Sequence, residues 1–352
     1  MRPLNVCGII IHIDFSIGQG PKKLSGRYKM AKKINIGMLG YGNVGSGTCE
    51  IFKMNRESII KKTGCEPVVK KVLVRSITPE REAALGADVL TTSPHDVTFN
   101  PDIDIVVEVL GGIEPATTYM LDALNHGKHV VTANKAALAA NYEKLTAAAE
   151  ANHVKLLFEA SVAGALPVLT SIRSALSANV FSEVSGIVNG TTNFILTKMA
   201  KEGLSYEQAL SDAQRLGFAE ADPTADVEGF DAANKLTILM MLMFGIYVAP
   251  GDIPRTGITG VTKEDLAAAE KAGEVIKLIA HAELGSDSKL TCSVKPQRIS
   301  KDHPLAGVSN EFNAVYVTGN AAGELMFYGR GAGPLPTGSA VAGDVLEIMR
   351  SI

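Results

Sequence analysis

The chain has no tryptophan, and its aromatic residues make up 5% of 352 positions. A surface that reads nucleic acid by stacking bases on rings is therefore disfavoured. A charge excess is missing too: 34 basic against 37 acidic residues leave a net charge of −3. That balance makes no electrostatic case for nucleic acid or an anionic membrane as partner. Cysteine is scarce. Cys7, Cys49, Cys65 and Cys292 show neither CxxC nor zinc-ligand spacing, so they read as reduced, buried thiols of a cytosolic protein. No apolar run is long enough to span a bilayer. "VCGIIIHIDFSI" (6–17) comes nearest, but it contains His12 and Asp14 and leads into "GQGPKKLSGRYK" instead of a small-residue cleavage site. Residues 1–32 are therefore expected to be a poorly ordered extension, with the fold starting at about residue 33.

What is present points to a globular α/β protein: 46% hydrophobic and 20% charged residues, with length for two domains. "INIGML" (34–39), "PVVKKVLVR" (67–75), "DIDIVVEVL" (102–110), "KHVVTAN" (128–134) and "VKLLFEA" (154–160) read as strands. Helical segments separate them: Val44 to Lys62, "PEREAALG", "PATTYMLDALNHG" and "NYEKLTAAAEANH", the last expected to be capped by Asn141. Strict alternation of this kind predicts a Rossmann-type, doubly wound parallel sheet over 33–164. The rhythm then changes. "LPVLTSIRSAL", "TTNFILTKMAKEG", "SYEQALSDAQRLG" and a long apolar segment from Asp231 read as helices, and "VFSEVSGIVNG" (180–190), "SKLTCSVKPQRIS" and "NAVYVTG" as strands. Residues 165–317 are expected to form an α+β domain for catalysis and dimerisation, and 318–352 to return to the first domain.

"GYGNVG" supplies Gly40, Gly42 and Gly45 in G-x-G-x-x-G spacing, after a strand and before a helix. In that context Gly40 allows the tight turn, Gly42 lets a pyrophosphate approach the backbone, and Gly45 lets helix and sheet pack closely. Asn43 and Val44 sit inside the same loop, at a helix start that favours an anion. A Gly-rich turn without a ligand is the plainer alternative. The second strand ends in Arg75, with Arg81 further on. A carboxylate there would suit the ribose of NAD; a guanidinium suits the 2′-phosphate of NADP. NADP is thus favoured, with NAD possible, unless Arg75 is merely a solvated strand end.

Lys135 directly follows a strand whose carboxyl end should face the ligand crevice. Further on, "GFAEADPTADVEGFDAANKL" (217–236) sets Glu220, Asp222, Asp226, Glu228 and Asp231 ahead of Lys235, and the chain then turns apolar. Asp231 and Lys235 are four apart and share a helix face. A lysine buried there prefers its neutral form, while nearby acids oppose that preference. Glu220 and Asp222 are candidates to hold a substrate ammonium. The plainer alternative is a surface loop with one i,i+4 ion pair. "VNGTTNFIL" (188–196) adds backbone N–H groups at a helix start, suited to a carboxylate. Together these features suggest an amino acid with an oxidisable oxygen facing a nicotinamide.

"GMLGYGNVG", "VEVLGG", "VVTANKAALA", "FEASVAGALP", "GIVNGTTNFIL" and "GFAEADPTADVEGFDAANKL" resemble the homoserine dehydrogenase family, in that order, over about residues 33–350. The resemblance implies NAD(P)-dependent interconversion of L-homoserine and L-aspartate 4-semialdehyde, a step of threonine, methionine and isoleucine biosynthesis in the cytoplasm. It implies Lys235 as catalytic acid/base and Lys135 as a second active-site lysine. It implies substrate binding by Gly190, Thr191, Glu220, Asp226 and Asp231, and cofactor contacts at Leu110, Gly111 and Gly331. Glu159, with the backbone of Val162, Gly164 and Ala165 or Leu166, matches a loop for a structural sodium ion. A homodimer built through the central sheet is implied as well. The chain stops after "VAGDVLEIM", where many relatives continue into a regulatory ACT domain, so no ACT domain is expected. The readings weighed against this one are another amino-acid-linked reductase such as aspartate semialdehyde dehydrogenase, which needs a thiol nucleophile, and a catalytically silent NADPH-binding sensor.

Overall fold

The computed structural model describes residues 31–352. The extension expected over 1–32 lies outside the described residues except at its last positions, where Lys32 already opens the first strand. The chain runs β1 (Lys32–Leu39), α1 (Asn43–Met54), α2 (Arg56–Thr63), β2 (Cys65–Leu73), α3 (Pro79–Leu85), β3 (Leu90–Thr91), α4 (His95–Thr98), β4 (Ile105–Glu108), α5 (Ala116–Asn125), β5 (His129–Thr132), α6 (Lys135–Ala151) and β6 (Leu156–Leu157). These six strands form one parallel sheet in the order β3-β2-β1-β4-β5-β6. All four residues of β4 are buried, as expected for a parallel strand covered on both faces. The order reverses between β1 and β4, which opens a crevice at their carboxyl ends.

There follow α7 (Val168–Thr170), β7 (Phe181–Ile187), α8 (Gly190–Glu202), α9 (Tyr206–Arg215), α10 (Thr224–Val227), α11 (Phe230–Phe244), α12 (Lys263–Lys271), β8 (Glu274–Leu284), β9 (Leu290–Ser300), β10 (Phe312–Gly319), β11 (Gly323–Arg330) and α13 (Pro334–Met349). The second sheet is antiparallel, ordered β11-β10-β7-β8-β9. One face, through Val184, Ala282, Val315 and Val317, joins a core that includes Leu236 and Leu239 of α11. The opposite face is only partly covered, by Leu305 and Val308 over Ile187, Ile279, Ala314 and Tyr316. Met326 and Tyr328 stay exposed.

Several sequence-based expectations need correction. The first helix breaks at Asn55 (φ −108°, ψ 12°), a residue that favours caps over helix interiors. Helix α6 is capped by Asn134, whose side chain accepts Ala137 N–H at 3.1 Å; Asn141 lies inside it as a kink (φ −135°) and donates to Thr117 Oγ1 and Ala137 O. Strand β6 is two residues long because Glu159–Ser161 turns into a 3-10 helix. The helix expected over "LPVLTSIRSAL" is a short α turn that widens into π geometry at Ser171–Ala175. Strand β8 and helix α12 were not anticipated. The segment 318–352 does not return as one piece: β11 stays in the second sheet, paired to β10, and α13 alone packs back on α1.

That return depends on two glycines. A Cβ on Gly47 of α1 would lie 2.1 Å from Pro334 O, and one on Gly338 of α13 would lie 2.7 Å from Gly47 C. The helices therefore touch backbone to backbone, beside Val341, Val345 and Ile348. Gly47→Ala should destabilise by about 1–3 kcal/mol through overpacking. Gly343→Ala, on the open side of α13, should gain up to about 1 kcal/mol from helix propensity. Urea titration of the two variants checks both signs.

Candidate active site

The glycine loop joins β1 to α1 at the crevice. Gly40 has φ +106°, and its Cβ would meet Val109 O at 3.0 Å. Gly45 lies against Gly40, with a Cβ position 2.7 Å from Gly40 O. At Gly42, the N-cap of α1, a Cβ would meet nothing within 4 Å. The loop thus combines one forced turn, one close helix–loop contact and one open approach beside the N–H groups of Asn43 and Val44. These residues fit a dinucleotide pyrophosphate. Leu110 and Gly111 (φ +84°) leave β4 on the other side of the crevice. Arg75 lies just beyond β2, exposed and without a carboxylate partner among the described residues. Arg81 is engaged locally, donating to Ser76 O at 2.5 Å.

The two lysines meet on one carboxylate. Asp231, in the first turn of α11 and 8% exposed, accepts Lys235 Nζ on Oδ2 at 2.6 Å and Lys135 Nζ on Oδ1 at 3.0 Å. Lys235 donates again to Val188 O at 2.6 Å. An ammonium has three donors, so one N–H of Lys235 has no protein partner among the described residues. Lys235 is the more enclosed lysine, its side chain 11% exposed against 38% for Lys135. The Asp231–Lys235 pair that the spacing puts on one helix face is thus joined by a second lysine.

Burial pushes the Asp231 carboxyl up. The charges of Lys235 and Lys135, with hydrogen bonds from Lys235 and Asn189, outweigh burial and hold it well below the usual carboxylate range. Asp231 in turn raises Lys135 above the ordinary lysine value against desolvation, with smaller help from Asp226 and Glu220. Asp226 is raised, first by burial and then by the charge of Asp231.

Asn189 completes the arrangement. It caps α8 by accepting Thr192 N–H at 2.9 Å, and its Nδ2 donates to Asp226 Oδ1 (2.7 Å) and Asp231 Oδ2 (3.0 Å). Thr191 donates to Phe218 O at 2.6 Å and lies 3.0 Å from Asp226 Oδ2. Gly190 opens α8 where a Cβ would stand 2.7 Å from Glu311 O. Of the five acids in 217–236, Asp226 and Asp231 are drawn inward. Glu220 is exposed at the mouth. Asp222, expected beside it, instead accepts Thr224 N–H and O–H at 3.1 and 2.6 Å and closes a local turn. Glu228 accepts Thr259 Oγ1 at 3.1 Å. Sequence reasoning missed Asn189, whose signal was its N-cap position in "VNGTT".

In the 159–166 loop, Glu159 is 6% exposed and accepts Leu169 N–H (3.0 Å) and Thr170 N–H (2.5 Å). A carboxylate can take more than two partners, so these bonds do not exclude an ion. Ala163 and Gly164 both have φ +55° and fold the loop back. Leu166 O accepts Val168 N–H, whereas Val162 O and Gly164 O have no hydrogen-bond partner among the described residues. Beside them Asp344, 2% exposed, accepts Glu159 N–H at 2.8 Å, and burial pushes its carboxyl up to about 7. One carboxylate with carbonyl oxygens suits a hard cation of low charge. Gly331 belongs to the same junction: a Cβ on Gly164 would stand 2.2 Å from Gly331 O.

A thiol nucleophile finds no support. Burial pushes the Cys49 thiol up to about 12 and raises Cys292, and Cys65 is buried. Cys7 lies outside the described residues. No helix among the described residues is long and apolar enough to cross a membrane.

Comparison with known proteins follows the same lines. The pattern described as "Homoserine dehydrogenase, NAD binding domain" matches residues 40–159, and that described as "Homoserine dehydrogenase" matches residues 167–346. The chain is 47% identical to the homoserine dehydrogenase of Bacillus subtilis over 321 residues, covering 91% of this chain and 74% of the relative. A crystal structure of a homoserine dehydrogenase from Thiobacillus denitrificans superposes with a TM-score of 0.87 at 43% identity, covering 91% of this chain and 74% of the other. A hyperthermophilic archaeal homoserine dehydrogenase in complex with NADPH superposes at 0.77 with 30% identity, covering 91% and 98%. The two-sheet fold and sequence likeness along nearly the whole described chain agree, and the chain belongs to the homoserine dehydrogenase family.

Proposed function

We propose that this protein interconverts L-homoserine and L-aspartate 4-semialdehyde, with NADP favoured over NAD. The observation that carries the reading is the Lys235–Asp231–Lys135 bridge beside the α8 N-terminus, where one N–H of Lys235 has no protein partner among the described residues. When bound, the cofactor exchanges a hydride with the substrate's terminal carbon. Lys235 gives a proton to the aldehyde oxygen in reduction and takes it from the hydroxyl in oxidation. Asp231 holds Lys235 in place, and Lys135, on its other oxygen, balances the carboxylate and borders the cofactor. The α8 N-terminus at Gly190 and Thr191 suits the substrate carboxylate, and Glu220 with Asp226 suits its ammonium. Gly40, Gly42 and Gly45 with Asn43 and Val44 bind the pyrophosphate, Arg75 the 2′-phosphate, and Leu110, Gly111 and Gly331 line the nicotinamide side. The domain division proposed is 33–164 for the cofactor and 165–330 for substrate and dimerisation, with α13 returning to the first.

Glu159, Val162, Gly164 and Leu166 are proposed to hold a structural monovalent cation, sodium by preference, which offsets the buried carboxyls. The half-covered outer face of the antiparallel sheet, with Met326 and Tyr328 exposed, supports a homodimer through that sheet. A cytoplasmic enzyme of threonine, methionine and isoleucine biosynthesis is the setting these assignments suit.

Oxidation of L-homoserine, followed by the absorbance of the reduced nicotinamide with NADP⁺ and NAD⁺ in parallel, tests the reading. Turnover is expected, faster with NADP⁺. Folded protein that binds the cofactor yet oxidises no homoserine would refute it. Lys235→Ala should lower kcat by roughly 10²–10⁴ and leave cofactor affinity nearly unchanged. Arg75→Ala should weaken NADPH about tenfold or more, the loss of a charge-assisted contact, with little effect on NADH. Equal loss for both cofactors would remove Arg75 from the phosphate site.

The carboxylate bridge also sets an acid limit. Asp231 has its folded pKa below the unfolded value, so its stabilisation is present above about pH 4 and is lost as pH falls through the folded value. Lys135 is raised, so its share is full below about pH 10 and fades only above that. Asp226 is also raised and acts oppositely, since acid relieves its cost. The melting-temperature gap between wild type and Asp231→Asn should therefore narrow below about pH 4. A gap that widens with acid would contradict the bridge.

A further inference from the structure

Glu108 ends β4 with no exposed surface, in register with Leu39 of β1 and Thr132 of β5. That position is the floor of the crevice between β1 and β4. Among the described residues no cation pairs with it. Leu110 N–H donates to Oε1 at 2.8 Å, Thr132 O–H to Oε2 at 2.6 Å, and Asn134 Nδ2 to Oε1 at 3.4 Å. Each partner is a donor in this setting. Backbone and amide N–H groups cannot accept, and the Thr132 hydroxyl, which accepts Asn134 N–H at 2.9 Å, gives its proton to Glu108. A carboxylate satisfies the whole set; a protonated carboxyl would leave either its own O–H or that of Thr132 without an acceptor among the described residues. Burial works the other way and raises the Glu108 carboxyl against these bonds.

The neighbours of this anion lead into the active site from two sides. Leu110–Gly112 is the loop that leaves β4. Asn134 donates to Gly112 O at 2.7 Å and caps α6 through Ala137 N–H, and Lys135 is the next residue. One buried carboxylate thus ties the loop bordering the cofactor to the helix start that presents Lys135. Oxidised nicotinamide carries a positive charge that the reduced ring lacks, so an uncompensated anion at the crevice floor interacts differently with the two forms.

We propose that Glu108 is a positioning residue that clamps Leu110–Gly112 to the start of α6 and whose charge makes the site favour the oxidised, cationic nicotinamide over the reduced one. This rests on the reading above that Leu110 and Gly111 border the cofactor. Calorimetric titration of the full chain with NADP⁺ and, separately, NADPH tests it in wild type, Glu108→Gln and Glu108→Asp. In Glu108→Gln the ratio of the NADP⁺ to the NADPH dissociation constant should rise about tenfold, the scale of one partly screened charge. Glu108→Asp should keep the wild-type ratio even where both affinities fall. If Glu108→Gln does not fold, Thr132→Val, which keeps the carboxyl and removes its hydroxyl donor, should move the ratio the same way by a smaller factor. An unchanged ratio in the folded variant, with both forms still binding or both weakened equally, overturns the proposal. Wild-type protein that binds neither form refutes the cofactor reading and this proposal with it.

Discussion

One buried carboxylate organises the chemistry. Asp231 faces two ammonium groups from different parts of the chain, Lys235 one turn along its own helix and Lys135 at the start of α6. Burial works against the charge of this carboxylate, 8% exposed, and the two lysines outweigh it. Asp231 in return favours the charged form of Lys135. Removing one partner from a buried pair typically costs about 3–5 kcal/mol, and the half-exposed Lys135 lies toward the weaker, solvent-screened end. The bridge also joins the two sheets' territories, because α6 follows β5 of the parallel sheet and α11 packs on the antiparallel one.

The geometry of the bridge is enforced by neutral groups. Asn189 spends its carbonyl oxygen on capping α8 and its amide on Asp226 and Asp231, so a helix start and a charge cluster are fixed by one side chain. Val188 O gives Lys235 its second partner. On the nucleotide side Asn134 does comparable work, capping α6 while holding Gly112 O. Both asparagines sit where a strand's end becomes a helix, and for Asn134 that is the carboxyl end of the parallel sheet, where ligand-binding groups gather.

Much of the parallel sheet could be read in the sequence because central strands such as β4 are buried on both faces and read as short apolar runs. The glycine loop was legible for its own reason: only glycine suits its turn at Gly40 and its close contact at Gly45. The limits are instructive. Asn134 and Asn141 look alike as caps, and the choice between them rests on tertiary partners such as Thr117. Strand β6 looked long because its apolar run continues, yet Glu159 turns the chain to reach the N–H groups of Leu169 and Thr170. In the acid-rich loop, spacing set Asp231 with Lys235. Nothing local showed that Asp222 would close its own turn, or that Lys135, 96 positions earlier in the numbering, would complete the bridge.

We propose that Asp231 holds Lys235 so that the N–H left without a partner among the described residues meets the reacting oxygen. A crystal structure of the protein with L-homoserine and the cofactor tests it most directly. The substrate hydroxyl is expected within hydrogen-bond distance of Lys235 Nζ, with both lysine–Asp231 contacts kept. A hydroxyl placed on Lys135 alone, with Lys235 still turned to Val188 and out of reach, would contradict it.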